Sequence, residues 1–182
     1  MENTLITVEE AKTLGRPIGN NVSSAKITTF ITEVEQTIIR KTLGDSIYMD
    51  LLCLNNSDQP DNRLEKLLSG GVYETEEMEC GCLQKVKKMF RGLKVTIAYY
   101  VYVQNVRAGD YESTRYGIVK KDDDYSEGIT PAERSNIASS VSAIADSYLA
   151  ECIAYCKDVG LIKEAGKGSL RTATGCIIRK IG

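Results

Sequence analysis

The segment TPAERSNIASSVSAIADSYLAECIAYCKDVG, Thr130 to Gly160, decides the fold of this chain. Glu133 follows Thr130 at the spacing of a capping box, and Pro131 takes the first helical position, where its missing amide hydrogen costs nothing. Apolar residues then recur at steps of three and four on one helix face: Ile137, Val141, Ile144, Ala145, Tyr148, Leu149, Cys152, Ile153 and Cys156. This pattern predicts one long amphipathic helix that ends near Gly160.

The N-terminal part of the chain carries the same signals at shorter spacing. A capping box that begins at Thr7 predicts a short helix ending near Gly15. Ser23 or Ser24 can cap a second helix, which Gly44 ends. Its predicted inward stripe consists of Ile27, Phe30, Ile31, Val34, Ile38 and Leu43.

Two further helices are predicted before the middle of the chain. The first covers Ser46 to Leu54, and its inward residues are Ile47, Leu51 and Leu54. The polar segment from Asn55 to Asn62 has the composition of a loop. A short helical segment from Arg63 to Leu68 follows and stops before Gly70.

The next segment combines two different signals. From Thr75 to Phe90, apolar residues keep a helical period, which predicts helix: Met78, Cys82, Val86, Met89 and Phe90. Leu93 to Val106 is rich in β-branched and aromatic residues, which favours a strand, but its apolar and polar residues do not alternate. We therefore predict a buried helix there. Its apolar run, Val95 to Val103, is too short to span a bilayer.

The predicted fold is thus mainly α: a helical bundle with an extended arm and an extended C-terminal tail. We place a single helical domain at residues 1–160, with a loop or hairpin arm at about 109–129. The tail, residues 161–182, is basic and bears glycines. It is predicted to be extended and to lie outside the core.

Composition excludes several classes of function. The net charge is −2 and the sequence pI is about 5.4, so a protein that binds nucleic acid mainly by neutralising phosphates is disfavoured. The chain has no histidine, the commonest general base and transition-metal ligand. No signal peptide is predicted at the N-terminus. These features favour a protein made in the cytosol, with its six cysteines as free thiols.

The remaining clusters each have two interpretations. Cys152 and Cys156 lie one helical turn apart and could contribute to a zinc site, but they lie on the apolar face, where cysteine packs as a small hydrophobe. Asp122 to Asp124 could bind a cation, although they do not match the calcium loop of an EF-hand. The three tyrosines at 99, 100 and 102 could stack on bases or lie at a helix or subunit interface. The structural interpretation is favoured each time, so no catalytic residue, metal ligand or cofactor is predicted.

Several stretches resemble one known family. The segments ITVEEAKTLGRPIGNN and ITTFITEVEQTIIRKTLGDSIYMDLL look like the opening of head–tail connector (adaptor) proteins of tailed phages. LKVTIAYYVYVQNVRAG, STRYGIVKKDDDYSEGIT and the helix ending ADSYLAECIAYC resemble the branch found in phages and prophages of Bacteroidetes, including crAss-like phages. The resemblance covers most of the chain from Leu5 to Cys156.

This resemblance implies a structural virion protein and no enzyme. Members form a homo-oligomeric ring, commonly a dodecamer, at the neck beneath the portal protein, where the ring extends the DNA channel and supports the next tail protein. DNA then passes without sequence-specific binding, and no membrane is involved. The residues predicted to grip neighbouring copies or the portal are charged: Lys120, Lys121, Asp122, Asp123, Asp124, Lys167, Arg171, Arg179 and Lys180.

Two alternatives remain open at this point. The first is another tail-completion or neck protein at a different position in the stack. The second is a small cytosolic binding module that holds zinc through its cysteines.

Overall fold

The computed structural model describes residues 4–19, 21–54, 61–79, 82–109, 111–114, 117–120 and 130–162. The fold is mainly α, as the sequence predicts, with two antiparallel β-hairpins between the helices. In chain order the elements are α1 (Val8–Leu14), α2 (Ser24–Val34), a π-helical turn (Glu35–Ile39), α3 (Arg40–Leu43), α4 (Asp45–Cys53), α5 (Asn62–Ser69), β1 (Gly71–Glu79), β2 (Cys82–Phe90), α6 (Leu93–Ala108), β3 (Tyr111–Thr114), β4 (Gly117–Lys120) and α7 (Pro131–Asp158).

The predicted helix starts are confirmed. Both capping boxes form: the backbone amide of Glu10 donates to the Thr7 side chain, and that of Glu133 donates to Thr130. Ser23, and not Ser24, caps α2 by accepting from the Lys26 amide at 3.3 Å. A side-chain cap satisfies one of the amides that a helix leaves without an internal partner. Local sequence therefore determines where these helices begin.

A π-helical turn changes the inward face of the second helix. The sequence pattern assigns Ile38 to the stripe, but Ile39 is fully buried and Ile38 only partly so. A π-turn holds more residues than an α-turn, so the positions that follow it are rotated around the axis. The same turn brings Glu35 into the core, where its exposed fraction is 1%. Of the other predicted stripe residues, Ile27, Ile31, Val34 and Leu43 are buried, and Phe30 is partly buried and packs against the core.

The helices α4, α5 and α6 confirm the predictions for their segments. In α4 the residues predicted to point inward are buried, and so is Leu54 just beyond its end. Asp61 caps α5 through the Arg63 amide at 2.9 Å. The segment Leu93–Ala108 is helical despite its β-favouring composition. Residues 55–60 of the predicted loop lie outside the described part of the chain.

The helix predicted between Thr75 and Phe90 is wrong, because the segment forms most of an antiparallel hairpin. Nine residues of β1 pair with nine of β2, from Gly71 opposite Phe90 to Glu79 opposite Cys82. The hairpin places two glutamates of β1 opposite two lysines of β2, with Glu74 facing Lys87 and Glu76 facing Lys85. In a helix, like charges within each run would be neighbours at a spacing of three residues, as Glu77 with Glu74 and Lys88 with Lys85.

The core lies where α6 and α7 pack against each other and against the N-terminal helices. α6 buries residues around most of its circumference: Leu93, Thr96, Ile97, Ala98, Tyr100, Val101 and Val103. α7 contributes Ala138, Val141, Ala145, Leu149, Cys152, Tyr155 and Cys156. A helix that is surrounded by other elements can be apolar on several faces, which explains how α6 tolerates its composition.

The arm predicted at about 109–129 contains the second hairpin. β3 pairs with β4, with Tyr111 opposite Lys120. Residues 110, 115–116 and 121–129 lie outside the described part, as does the predicted tail from residue 163 onward. The amides of Leu161 and Ile162 donate to the Cys156 carbonyl and close the end of α7. No helix within the described ranges is both long and apolar enough to cross a membrane.

Candidate assembly interface

The β1–β2 hairpin is anchored at its base by three aromatic rings. Phe90 of β2 stacks on Tyr155 of α7 with a centroid separation of 4.5 Å, and Tyr73 of β1 meets both rings edge-on at 5.7 and 4.9 Å. All three side chains are buried. Offset-stacked and edge-to-face pairs stabilise a contact beyond the area they bury. The hairpin is therefore fixed to the last turns of α7.

Polar contacts strengthen the same junction. The Tyr73 hydroxyl donates to Asp158 Oδ2 at 2.8 Å, and Lys88 Nζ donates to the same oxygen at 3.0 Å. The Tyr155 hydroxyl donates to the backbone carbonyl of Arg63 at 3.1 Å. Asp158 thus holds one residue from each strand, and Tyr155 ties the junction to α5.

Two glycines allow the chain to enter and leave the hairpin side by side. Gly70 and Gly92 have φ angles of +77° and +83°. A Cβ atom on Gly92 would lie 2.4 Å from the Gly70 nitrogen, and one on Gly70 would lie 2.5 Å from the Arg91 carbonyl carbon. Only glycine meets both the positive φ and the close backbone approach. The direction in which the hairpin projects is thus set at its base.

One face of the hairpin is exposed along its length. The side chains of Val72, Leu83 and Met89 are 54%, 67% and 68% exposed, and all three lie on this face, which we call the outer face. It also carries Glu74 and Lys87, whose charged atoms are 3.5 Å apart, and the opposed pair Glu76 and Lys85. Val72 and Met89 form an exposed apolar pair across the two strands, and Leu83 lies farther along the same face, which makes this face a candidate for an interaction surface.

The two strands of the hairpin carry opposite charge. β1 contains four glutamates, at 74, 76, 77 and 79, and β2 contains three lysines, at 85, 87 and 88. Each hairpin is a two-stranded sheet, and within the described ranges neither outer edge of β1–β2 pairs with another strand. Nine residues extend about 30 Å in a strand. The β1–β2 hairpin therefore has an acidic strand along one edge and a basic strand along the other.

The residues predicted to form the interface are mostly outside the described part of the chain. Lys120 is the last residue of β4. Lys121 and Asp122 to Asp124 lie in the segment 121–129, and Lys167, Arg171, Arg179 and Lys180 lie beyond residue 162. The structure thus places one of these residues, at the end of the second hairpin, and the others lie outside the described residues.

The matched family covers both hairpins. Residues 39–160, well over half of the 182-residue chain, match the sequence profile described as a family of unknown function (DUF6712). The chain belongs to DUF6712. No curated protein and no solved structure matches the chain. The matched part runs from the end of the π-turn to the end of α7, so it includes β1–β2, its aromatic base and the β3–β4 hairpin.

The four cysteines that the structure describes in this DUF6712 chain divide into two groups. Cys152 and Cys156 are fully buried in the main core, as core packing predicts. Burial raises the pKa of the Cys152 thiol to about 11 and that of Cys156 to about 12, which disfavours the thiolate needed to bind zinc. Cys53 and Cys82 are exposed. Within the described ranges no three Cys, Asp or Glu residues are grouped so that they could hold a metal ion.

The tyrosines of α6 lie at a helix interface, one of the two places predicted for them. The Tyr100 hydroxyl donates to the carboxylate of Asp146 on α7. Burial, followed by this hydrogen bond, raises the pKa of Tyr100 above its usual value. Tyr99 meets Tyr148 edge-on at 5.3 Å. These rings hold α6 and α7 together and are not arranged as a surface for stacking bases.

The sequence contained a signal for the β1–β2 surface that helical spacing obscured. A run of glutamates precedes Cys80-Gly81, and a run of lysines follows it. A two-residue connection that ends in glycine between two segments of opposite charge is typical of a hairpin. Read in this way, Glu74 and Lys87 pair across the turn, and Val72 and Met89 fall on one face.

Proposed function

We propose that this protein is a structural component of a phage virion: a head–tail connector that forms a ring beneath the portal and extends the DNA channel. The support comes first from the resemblance of its helical segments to connector proteins. The observation that carries the proposal is the anchored β1–β2 hairpin, with three exposed apolar side chains and two edges of opposite charge. A rigid body with a projecting arm is suited to contacts between subunits.

The chemistry of the described residues favours assembly over catalysis. The large polar groups inside the core serve structural contacts: Glu35 accepts hydrogen bonds from the Leu5 amide at 2.8 Å and the Tyr48 hydroxyl at 3.1 Å. Tyr100 is occupied by Asp146. We propose that the protein acts as a scaffold and that its partners are further copies of itself, the portal protein and the next neck protein.

The test is electron microscopy of the purified protein alone and together with the cognate portal. The expected result is a ring seated coaxially on the portal, with the channel continuing through it. Mass spectrometry of purified particles should find this chain in the virion. A chain that is missing from particles and does not bind the portal would contradict the proposal.

The same experiment distinguishes a connector from the first alternative, another tail-completion or neck protein. A neck protein at another level would bind the tail side of a connector ring and leave the bare portal unoccupied. Metal analysis of the purified chain addresses the zinc-binding module, which the raised thiol pKa values of Cys152 and Cys156 disfavour.

A further inference from the structure

The β1–β2 hairpin has two outer edges that differ in charge. On the outer face, Glu74 and Glu76 of β1 and Lys85 and Lys87 of β2 are all exposed. Proteins commonly protect free strand edges with charged side chains, which repel a second edge of the same sign. Of the possible pairings between two copies of this hairpin, only β1 of one copy against β2 of the other brings opposite charges together.

The geometry of such pairing favours a head-to-tail arrangement. β1 and β2 are antiparallel, so a second hairpin that points in the same direction continues the antiparallel alternation when its β2 lies beside β1. The outer faces then stay on one side, and the aromatic bases stay on the other. A two-fold arrangement would instead place glutamate opposite glutamate or lysine opposite lysine, which destabilises cross-strand pairs.

We propose that copies of this chain associate head to tail through the β1–β2 hairpin, with the acidic β1 edge of one hairpin pairing with the basic β2 edge of the next. This inference rests on the proposed ring and assigns its subunit contact. Unlike edges form a heterologous interface, and such interfaces close into rings when the rotation permits. Backbone hydrogen bonds supply the contact, and the rows of opposite charge select the partner edge.

The apolar residues of the outer face fit the same contact. Val72 already opposes Met89 within one hairpin. If the next copy keeps this register, its Met89 lies beside Val72 and its Lys87 beside Glu74. Adjacent strands are about 4.8 Å apart, which is close enough to cover part of these exposed side chains. The ionic part of the contact weakens as salt concentration rises.

The test uses charge exchange on each edge, measured by sedimentation velocity over a concentration series. The acidic-edge variant is Glu74→Lys/Glu76→Lys, and the basic-edge variant is Lys85→Glu/Lys87→Glu. The matched control is the fourfold exchange, which reverses both edges and keeps every cross-strand pair within the hairpin. Circular dichroism verifies that each variant is folded.

The wild-type chain should self-associate, and each two-residue variant alone should lose at least about tenfold in affinity, equivalent to about 1.4 kcal/mol. An equimolar mixture of the two variants should recover association, because each lysine edge then meets a glutamate edge. The fourfold variant should associate with itself but not with the wild type.

Three results would overturn the inference. One is a wild-type chain that stays monomeric at the highest attainable concentration. Another is association that is unchanged in both two-residue variants. The third is association of the fourfold variant with the wild type as strong as that of the wild type with itself. This third result can be measured even if the two-residue variants fail to fold. If the wild-type chain binds the portal but the charge variants associate as the wild type does, the proposed function stands and this inference fails. If association depends on the edge charges but the chain does not bind the portal, this inference stands and the proposed function fails.

Discussion

Helix α6 and the β1–β2 hairpin each adopt the structure that the composition of their own segment disfavours. α6 contains LKVTIAYYVYV, rich in the β-branched and aromatic residues common in strands, and it is helical. The hairpin contains glutamate, lysine and methionine, which favour helices, and it is extended. In α6 the lack of alternation between apolar and polar residues already predicted the helix, whereas in the hairpin pairing between distant residues overrode the helical spacing.

The two regions also differ in what surrounds them. α6 is enclosed by α1, α2, α5 and α7, so its apolar residues stabilise the fold on several sides. Among the hairpin side chains that the structure describes, the buried ones lie at its base, where Tyr73 and Phe90 meet Tyr155. Stability should therefore depend strongly on α6 and the base, and weakly on the outer face of the hairpin.

The largest effect is expected from removing the Tyr155 ring, which joins the base of the hairpin to α7. Tyr155→Ala should lower the free energy of unfolding by about 3–5 kcal/mol, because it leaves a cavity beneath the hairpin and breaks both aromatic contacts. Urea denaturation measures the loss. Met89→Ala, on the outer face, is the control and should change stability by less than about 0.5 kcal/mol. Equal losses in the two variants would contradict the expectation that stability depends more on the base of the hairpin than on its outer face.

A second effect concerns the buried carboxylate of the helical body. Burial raises the pKa of Glu35 to about 7 from 4.5, so the folded protein holds a proton that the unfolded chain releases between these values. The contribution of protonated Glu35 to the free energy of unfolding is complete below about pH 4.5 and is lost as the pH rises to about 7. The total loss is up to roughly 3 kcal/mol. Unfolding experiments across this range should show the decline.

Glu35→Gln is the control for that pH dependence. The amide has nearly the shape of the protonated carboxyl group and can still accept from the Leu5 amide. It should remove the part of the decline that belongs to Glu35. A slope that is unchanged in this variant would show that other groups cause it.

A smaller loss is expected at Gly92, where the chain leaves the hairpin. Gly92→Ala combines a positive φ with a Cβ contact of 2.4 Å and should cost about 1–3 kcal/mol in the free energy of unfolding. Gly44 is a matched control, because its φ is +86° and no atom lies within 4 Å of its would-be Cβ. Gly44→Ala should therefore cost less, and the difference measures the close approach.

The smallest effect is expected from the ionic contact at the base. Asp158→Asn removes the charge paired with Lys88, which is partly buried, and should cost about 1 kcal/mol or less. Glu74→Gln, in the exposed pair with Lys87, should cost less still. Double-mutant cycles with Lys88 and Lys87 would measure both couplings. A larger coupling for the exposed pair would reverse this order.

Local signals in the sequence predicted the helix boundaries well. Thr7, Ser23 and Thr130 cap their helices because a side-chain oxygen next to a free amide acts within a few residues. The buried state of Cys152 and Cys156 also followed from their helical spacing. Ile39 could not be predicted in the same way, because the π-turn that rotates it inward leaves no mark in the apolar spacing.

The surface that we propose for assembly was the least predictable part. The sequence pointed to Lys120 and to residues outside the described ranges, whereas the exposed Val72, Leu83 and Met89 lie on the first hairpin. Their separation along the chain hides that they share a face, because this depends on the register of the two strands. Helical spacing between Met78 and Phe90 concealed that register.

By itself the sequence determined the mainly α class, the ends of most helices and part of their apolar stripes, since these depend on interactions within a turn or two. The stripes were wrong at Ile38, which is only partly buried, and at Ile137, which is exposed. Tertiary structure alone decided that residues 71–90 form a projecting hairpin and that Glu35 is buried. These outcomes depend on contacts between residues distant in the chain, such as Phe90 with Tyr155 and Leu5 with Glu35. The free energy of burial and pairing there exceeds the local preference of each segment.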